Sequence, residues 1–249
     1  MTKAFENHTL ARLRAGKGAV SVWLSLGAVS LAEIAAESAP DAIVFDGQHG
    51  LWERTDLFAA FTIAARASTP LVRVAANVAH IIGEALDNGA HGVIVPLVES
   101  SAEAAAAVAA AHYPPHGIRS GGGLRPLATM GAYVAACQTE ILVSVMIETR
   151  AGLDNAAAIA ATPGVDLVFI GPGDLALALG PDTDLEAAIQ AILAACKAAG
   201  TPCGLFTPSA AAARDRLAQG FALVVAEDDI RLARGGFAGS LAVSRQDPK

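Results

Sequence analysis

What most constrains the fold of this chain is an alternation. Eight short runs rich in apolar and β-branched residues, at 19–26, 42–46, 70–74, 92–97, 141–148, 167–171, 203–207 and 222–227, read as strands. Between them lie alanine-rich stretches of helical character at 29–38, 55–67, 77–88, 101–111, 151–161, 184–199 and 209–219, with a weaker one after 228. The apolar runs are near-continuous instead of alternating with polar residues, which is how strands read in a parallel sheet covered on both faces. Eight strand–helix units predict a (β/α)8 TIM barrel in the α/β class, with a doubly wound open sheet as the alternative. The 249 residues match the length of one such barrel, and no shift in composition marks a second domain, so 1–249 reads as a single domain. The segment HYPPHGIRSGGGLRPL, 112–127, is the one long irregular connection. Its Pro and Gly content predicts a loop after the fourth strand, and loops of that length are often functional.

The hydrophobic fraction is high, 53%, but much of it is alanine, and no uninterrupted apolar run reaches the length of a membrane span. The N-terminal segment carries charges throughout and no apolar core of a signal peptide, so a cytoplasmic protein is expected. Charged residues make up only 16% of the chain, which fits a subunit that buries surface against copies of itself. A net charge of −7, with no basic cluster beyond Arg12/Arg14 and Arg214/Arg216, argues against nucleic acid as a partner. Cys137, Cys196 and Cys203 have no metal-type spacing and read as reduced core residues.

In a barrel, chemistry gathers where strands end. The second strand ends at Asp46 with His49 just beyond; the third carries Arg73; the fifth ends on Glu148; the sixth runs into GPGD, placing Asp174 past its end. Each charge interrupts an apolar run. Two carboxylates on adjacent strands suit a hard divalent cation, Mg²⁺ or Mn²⁺, with Co²⁺ or Zn²⁺ as alternatives. A 2-oxo acid could chelate it, and the metal would act as a Lewis acid stabilising an enolate. Arg73 could hydrogen-bond the developing oxyanion, and His49, supported by Asp46, could serve as the base. A Schiff-base route is disfavoured, because Lys3, Lys17, Lys197 and Lys249 are the only lysines and none stands at a strand C-terminus. The last two strands run into LFTPSA and AEDDI, which lack a glycine-rich phosphate cup, and Glu227, Asp228 and Asp229 would repel a phosphate. A non-phosphorylated substrate follows.

Blander readings stand beside these. A histidine after a strand is commonly a turn residue, Arg73 could close a buried ion pair, and Glu148 and Asp174 could cap helices. Trp23 and Phe206 fit a core as well as a pocket, Phe206 being the better candidate to line an acceptor site. His112 and His116 read as surface residues of the long loop, and His8, His80 and His91 as structural.

The ordered motifs FDGQHG, PLVRV, LDNGAHGVIVPLVES, YPPHGIRS, MIETRAGLDN, FIGPGDLALALG and GLFT, spread over nearly the whole chain, resemble the HpcH/HpaI family of metal-dependent (class II) pyruvate aldolases. The pattern is nearest to 4-hydroxy-2-oxoheptanedioate and hydroxy-ketoacid aldolases. The resemblance implies reversible cleavage of a 4-hydroxy-2-oxo acid to pyruvate, or a related 2-oxo acid, and an aldehyde. Oxaloacetate decarboxylation or another carbon–carbon lyase reaction on the same residues is the alternative, and a non-catalytic 2-oxo-acid binder a more distant one. It implies a barrel whose last helix is exchanged with a neighbour, and a homo-hexamer built from dimers. It further implies that Glu148 and Asp174 bind the metal, Arg73 contacts the enolate, and His49 with Asp46 moves protons. The amides of Gly173 and Asp174 would hold the substrate carboxylate, Asp87 would reach a neighbouring subunit's site, and Arg119 would stand near the site. This chain departs from the family pattern at Gln48, where glutamate is common, at Met146, where glutamine is, and at Ser120 in place of glycine.

Overall fold

A computed structural model describes residues 5–245. A short helix, α1 (His8–Arg14), opens the chain and leads into β1 (Ala19–Leu24) and α2 (Val29–Glu37). Then come β2 (Ala42–Asp46), α3 (Arg54–Ala64), β3 (Thr69–Arg73), α4 (Ala79–Asp87), β4 (Gly92–Val95) and α5 (Ser101–Ala111). The long connection holds α6 (Leu124–Ala128) and α7 (Met130–Glu140) before β5 (Leu142–Ile147). The remainder is α8 (Arg150–Asp154), α9 (Ala156–Ala160), β6 (Leu167–Ile170), α10 (Pro172–Leu179), α11 (Leu185–Ala199), β7 (Cys203–Leu205), α12 (Ala210–Gln219), β8 (Leu223–Asp228) and α13 (Asp229–Ser244).

The eight strands are all parallel and close in sequence order, β8 pairing back onto β1. The expected TIM barrel is therefore present, and the open-sheet alternative is not. Strand residues sort by parity into two cores. Val44, Leu71, Ile94, Leu142, Met146, Phe169 and Val225 fill the barrel interior, where Leu10 and Leu13 of α1 join them. Residues such as Ile43, Phe45, Val143 and Val168 point outward under the helices. Alanine suits the outer layer: α5 buries Ala104, Ala107, Ala110 and Ala111, small side chains that let a helix lie close on the sheet.

α1 seals the N-terminal end of the barrel. Asn7 caps it by accepting the Leu10 N–H at 2.8 Å, while its own amide group donates to His91 O and Glu140 O. Thr9 bonds to Asp41 O and to Thr69 Oγ1, tying the helix under β2 and β3.

Five helical features differ from the sequence-based expectation. α1 and α7 fall where no helix is expected, α6 lies inside the expected loop, and the stretch 151–161 breaks at Asn155 into α8 and α9. α10 is a further helix directly after β6, started by Pro172 in its first turn and ended at Gly180 (φ 81°). The weak helix after 228 is α13, 16 residues long. Asp229 at its start is buried, whereas Leu232, Phe237, Leu241 and Val243 stand 56%, 71%, 51% and 68% exposed. No helix among the described residues is long and apolar enough to cross a membrane.

Candidate active site

At the C-terminal end of the barrel, β2 and β3 pair so that Asp46 and Arg73 are direct neighbours. Both are buried, and their side chains meet in a two-point ion pair: Arg73 Nε donates to Oδ1 at 3.0 Å and Nη2 to Oδ2 at 2.5 Å. Trp23 Nε1 donates to Oδ2 at 3.3 Å, with Ser25 Oγ at 3.4 Å from the same oxygen. The backbone N–H groups of Gln48 and His49 both donate to Oδ1 at 3.1 Å. Burial pushes the Asp46 carboxyl up, but hydrogen bonding and charge from Arg73, the His49 amide and Trp23 outweigh it and leave it below its usual value.

The sequence reading pairs Asp46 with His49, and the contact takes a different form. Asp46 holds the main-chain amide of His49, shaping the Asp46–Gly50 turn, and its carboxylate charge is spent on Arg73. The His49 side chain stands exposed above the cavity that it lines.

Across the barrel mouth, Glu148 is 2% exposed at the end of β5. Its Oε1 accepts the Leu97 N–H at 2.9 Å, and its Oε2 is buried with no hydrogen-bond partner among the described residues. Leu97 has φ 55°, a left-handed conformation that costs a non-glycine residue on the order of 1–2 kcal/mol. Such strain persists where surrounding structure imposes it, here beside the acid. Burial raises the Glu148 pKa, the Leu97 amide opposes it, and the nearby Asp174 carboxylate adds to the rise. Gly171 is needed at this point, because a Cβ there would stand 2.5 Å from Glu148 Oε2.

Asp174 sits exposed in the first turn of α10, whose opening amides have no acceptor within the helix. An orphaned buried carboxylate oxygen beside a second carboxylate is the donor set of a hard cation. No group of three His, Cys, Asp or Glu side chains among the described residues is placed to hold a metal ion. A divalent cation would thus take two carboxylates and complete its shell with water or substrate oxygens, as Mg²⁺ commonly does.

These groups line one cavity of about 320 Å³: Asp46, His49, Arg73, Glu148, Gly173 and Asp174, closed by Trp23, Met146 and Phe206. Trp23 and Phe206 meet edge to face at 5.5 Å. Sequence reasoning missed Ser25 and Ile230, and named Asp228 only as an acid that would repel a phosphate; all three line it as well. Ser25 directly follows β1, Asp228 ends β8 and Ile230 stands in the first turn of α13, elements brought together only by barrel closure. The acids at the end of β8 and the start of α13 do structural work that charge counting cannot reveal. Asp228 caps α13 through the Arg231 N–H at 2.8 Å, Asp229 accepts the Ser25 and Leu26 N–H groups at 2.9 Å, and Glu227 pairs with Arg231 at 2.6 Å.

Asp87 lies outside this cavity. Its carboxylate, at the end of α4, accepts a 2.7 Å bond from the buried Arg119 Nη2. The Arg119 guanidinium also stacks on Tyr113 at 4.7 Å and bonds the Tyr133 hydroxyl at 3.0 Å. His91 stacks on Phe5 at 4.5 Å and is held down to about 4 by burial, a structural histidine as expected. The three cysteines are buried and free. A second cavity, about 650 Å³, lies at the opposite end of the barrel and is lined by Lys17, Lys197, Cys196 and Cys203. Lys3 and Lys249 lie outside the described residues.

The pattern of the HpcH/HpaI aldolase/citrate lyase family matches residues 20–231. The chain belongs to that family. It is an aldolase of the family, a carbon–carbon lyase. It is 36% identical over 241 residues to a 5-keto-4-deoxy-D-glucarate aldolase of Salmonella arizonae, covering 93% of this chain and 94% of that protein. A crystal structure of a family member from Burkholderia cenocepacia superposes with a TM-score of 0.91 at 33% identity, covering 96% of this chain and all of that one. The citrate lyase beta subunit of M. tuberculosis, solved with oxaloacetate and magnesium, shares the fold at 20% identity and a TM-score of 0.57, over 87% of this chain and 93% of that one.

Proposed function

We propose that this chain reversibly cleaves 4-hydroxy-2-oxo acids to pyruvate, or a close 2-oxo acid, and an aldehyde, with a divalent cation held by Glu148 and Asp174. The observation that carries the reading is the buried, unpartnered Oε2 of Glu148 facing a second carboxylate in the cavity that Arg73 and His49 line. The 36% identity to a 5-keto-4-deoxy-D-glucarate aldolase supports the same reaction class.

The first-turn amides of Gly173 and Asp174 bind the carboxylate of the 2-oxo acid. Asp46 takes two of the five guanidinium N–H groups of Arg73, which leaves others for the C2 oxygen of the substrate. A bound divalent cation supplies Lewis-acid polarisation of that oxygen. His49 removes the proton from the C4 hydroxyl. The C3–C4 bond then breaks, its electron pair moves toward C3 and the C2 oxygen, and the aldehyde carbonyl forms at C4. Arg73 meets the charge growing on oxygen, and protonation at C3 completes pyruvate. Asp46 fixes both the pose of Arg73 and the turn that carries His49.

The assembly belongs to the same reading: a homo-hexamer of dimers in which α13 is exchanged and Asp87 reaches a neighbouring site. The exposed apolar residues of α13 support it.

Exchange of the pyruvate methyl protons in D₂O tests the chemistry. Loss of the methyl ¹H signal is expected with Mg²⁺ or Mn²⁺, and none after chelation or in Glu148→Gln. Retained exchange in the chelated enzyme would sink the reading. Faster turnover of oxaloacetate than of any 4-hydroxy-2-oxo acid would point to decarboxylation instead.

A further inference from the structure

Beyond Leu24 and Phe45, the last residues of β1 and β2 to pair with each other, the two strands run on into loops, and the second loop carries His49. Contact between these loops continues without a ladder. Ser25 O accepts the Leu51 N–H at 2.7 Å, and Leu24 O accepts the Trp52 indole N–H at 2.8 Å. Gly27, at φ 70°, passes so close to the Leu51 carbonyl that a Cβ there would collide with it. The height of the His49 turn over the cavity is therefore set by where residues 25–27 lie.

Asp229 holds those residues. Its buried carboxylate accepts the Ser25 N–H at 2.9 Å on both oxygens and the Leu26 N–H at 2.9 Å on Oδ2. It makes no ion pair among the described residues, and Arg231 close by is engaged by Glu227 and Asp228. The ordinary role of an acid in a first helical turn does not account for this. Interaction with the helix dipole does not call for burial, and Asp228 already caps α13. A buried carboxylate bonded to two amides of a neighbouring loop is a brace. Asp229 directly follows β8, which pairs with β1 of the same chain, so the brace is in place whatever the outer turns of α13 pack against. Ser25 carries the constraint onward in two directions. Its carbonyl holds Leu51, and its hydroxyl stands 3.4 Å from Asp46 Oδ2, while Asp46 holds the His49 N–H at 3.1 Å.

We propose that Asp229 is a positioning residue for the base: it holds residues 25–27 against the turn 46–51 and thereby fixes His49 at the C4 hydroxyl. It touches no reacting atom and acts through main-chain contacts alone. Displacing a catalytic group by about 1 Å costs about a hundredfold in rate. The role of His49 rests on the aldolase reading, and the brace and that reading can fail separately.

The test compares Asp229→Ala, Asp229→Asn and Gly27→Ala with wild type, using the Mg²⁺-loaded full chain. It reads steady-state cleavage of 5-keto-4-deoxy-D-glucarate and 4-hydroxy-2-oxoheptanedioate, and amide hydrogen exchange by mass spectrometry. Asp229→Ala should speed exchange of residues 46–52 by at least about tenfold while 42–45 stay protected. Its kcat should fall by at least about tenfold with KM within about threefold, because the groups assigned to the 2-oxo acid lie on β3, β5 and α10. Asp229→Asn keeps one oxygen for the two amides and should fall between the alanine variant and wild type in both readouts. Gly27→Ala leaves Asp229 intact and wedges the loops apart at Leu51. It should reproduce the loss of kcat, and it carries the test if Asp229→Ala does not fold. A wild-type kcat despite fast exchange overturns the proposal, as does unmoved exchange at 46–52 or a rise in KM at constant kcat. If exchange speeds as expected but wild type cleaves neither substrate, the aldolase reading fails and the brace on the turn stands.

Discussion

Asp46 grips Arg73 at both ends of its carboxylate, Nε to Oδ1 at 3.0 Å and Nη2 to Oδ2 at 2.5 Å. Removing the charge from this buried pair leaves Arg73 uncompensated, which typically costs about 3–5 kcal/mol. In a domain of this size Asp46→Asn should lower Tm by roughly 6–20 °C. His49 is exposed, so His49→Ala should remove aldol cleavage while moving Tm by no more than about 2 °C. The Asp46 carboxyl titrates below its reference 3.8, so its stabilisation is present above that pH and is lost as pH falls through the depressed native value. Calorimetry of both variants from pH 7 down to 3 checks this, and the Asp46→Asn curve should lack that acid-side loss. Equal Tm for the two variants would show that the ion pair is not the main task of Asp46.

Trp23 touches both partners of that pair, with its N–H on Asp46 at 3.3 Å and its ring 5.1 Å from the Arg73 guanidinium carbon. Trp23→Phe keeps an aromatic face and loses the donor; Trp23→Leu loses both. A cation–π contact contributes about 0.5–2 kcal/mol and a hydrogen bond to a charged group about 1.5–3 kcal/mol. The Phe variant should therefore lose roughly tenfold in kcat and the Leu variant on the order of a hundredfold. A wild-type kcat in Trp23→Leu would reduce Trp23 to wall packing.

The barrel itself was legible because parallel strands buried on both faces have to be apolar throughout; β2 occupies 42–46 as the alternation predicts. The acids and the arginine at strand ends were legible because each breaks such a run. Partners across strands were not. That Asp46 bonds Arg73 and not the His49 ring follows from the β2–β3 register, and that Asp228 shares a cavity with Trp23 follows from β8 closing onto β1. α7 escaped detection for a different reason. Its buried face is Tyr133, Ala136 and Cys137, while the alanines and glycine around it blur any apolar stripe.

Burial and Asp174 both disfavour ionised Glu148, so at neutral pH this acid weakens the fold, and protonation as pH falls through its raised pKa relieves the cost. A bound cation would do the same without protons. Thermal melts of the metal-free protein should rise roughly 5–10 °C on adding Mg²⁺ or Mn²⁺ at a hundredfold excess over Kd. Glu148→Gln should melt at or above the metal-free wild type and show no metal response. A full metal response in that variant would place the cation elsewhere.

The α13 helix is fixed at its base and apolar beyond it. Arg231 ties its first turn to Glu227 and to the carbonyls of Thr207 and Ala226, whereas Phe237 and Leu241 face outward. Replacing both with lysine should lower the mass measured by light scattering by at least half. The barrel core does not depend on these side chains, so far-UV circular dichroism should stay that of a folded α/β protein. An unchanged mass would mean that copies associate through another surface.

Asp87 offers the sharpest test of whether copies complete one another's sites. It is half-buried, lies outside its own chain's cavity, and is held by Arg119 at 2.7 Å. Asp87→Asn keeps an acceptor for Arg119, so it should fold, losing less stability than Arg119→Met, which strips the partner from a carboxylate and leaves Tyr113 and Tyr133 without the stacked guanidinium. If Asp87 serves a neighbour, Asp87→Asn and Glu148→Gln oligomers should each be nearly inactive alone. Unfolded together and refolded as mixtures, they should regain activity, because some interfaces then pair an intact Glu148 with an intact Asp87. Random mixing of two variants across a two-chain site leaves about a quarter of sites whole, which sets the expected recovery near 25% of wild type. No recovery, with co-assembly confirmed by differently tagged chains, would confine Asp87 to holding Arg119 within its own subunit.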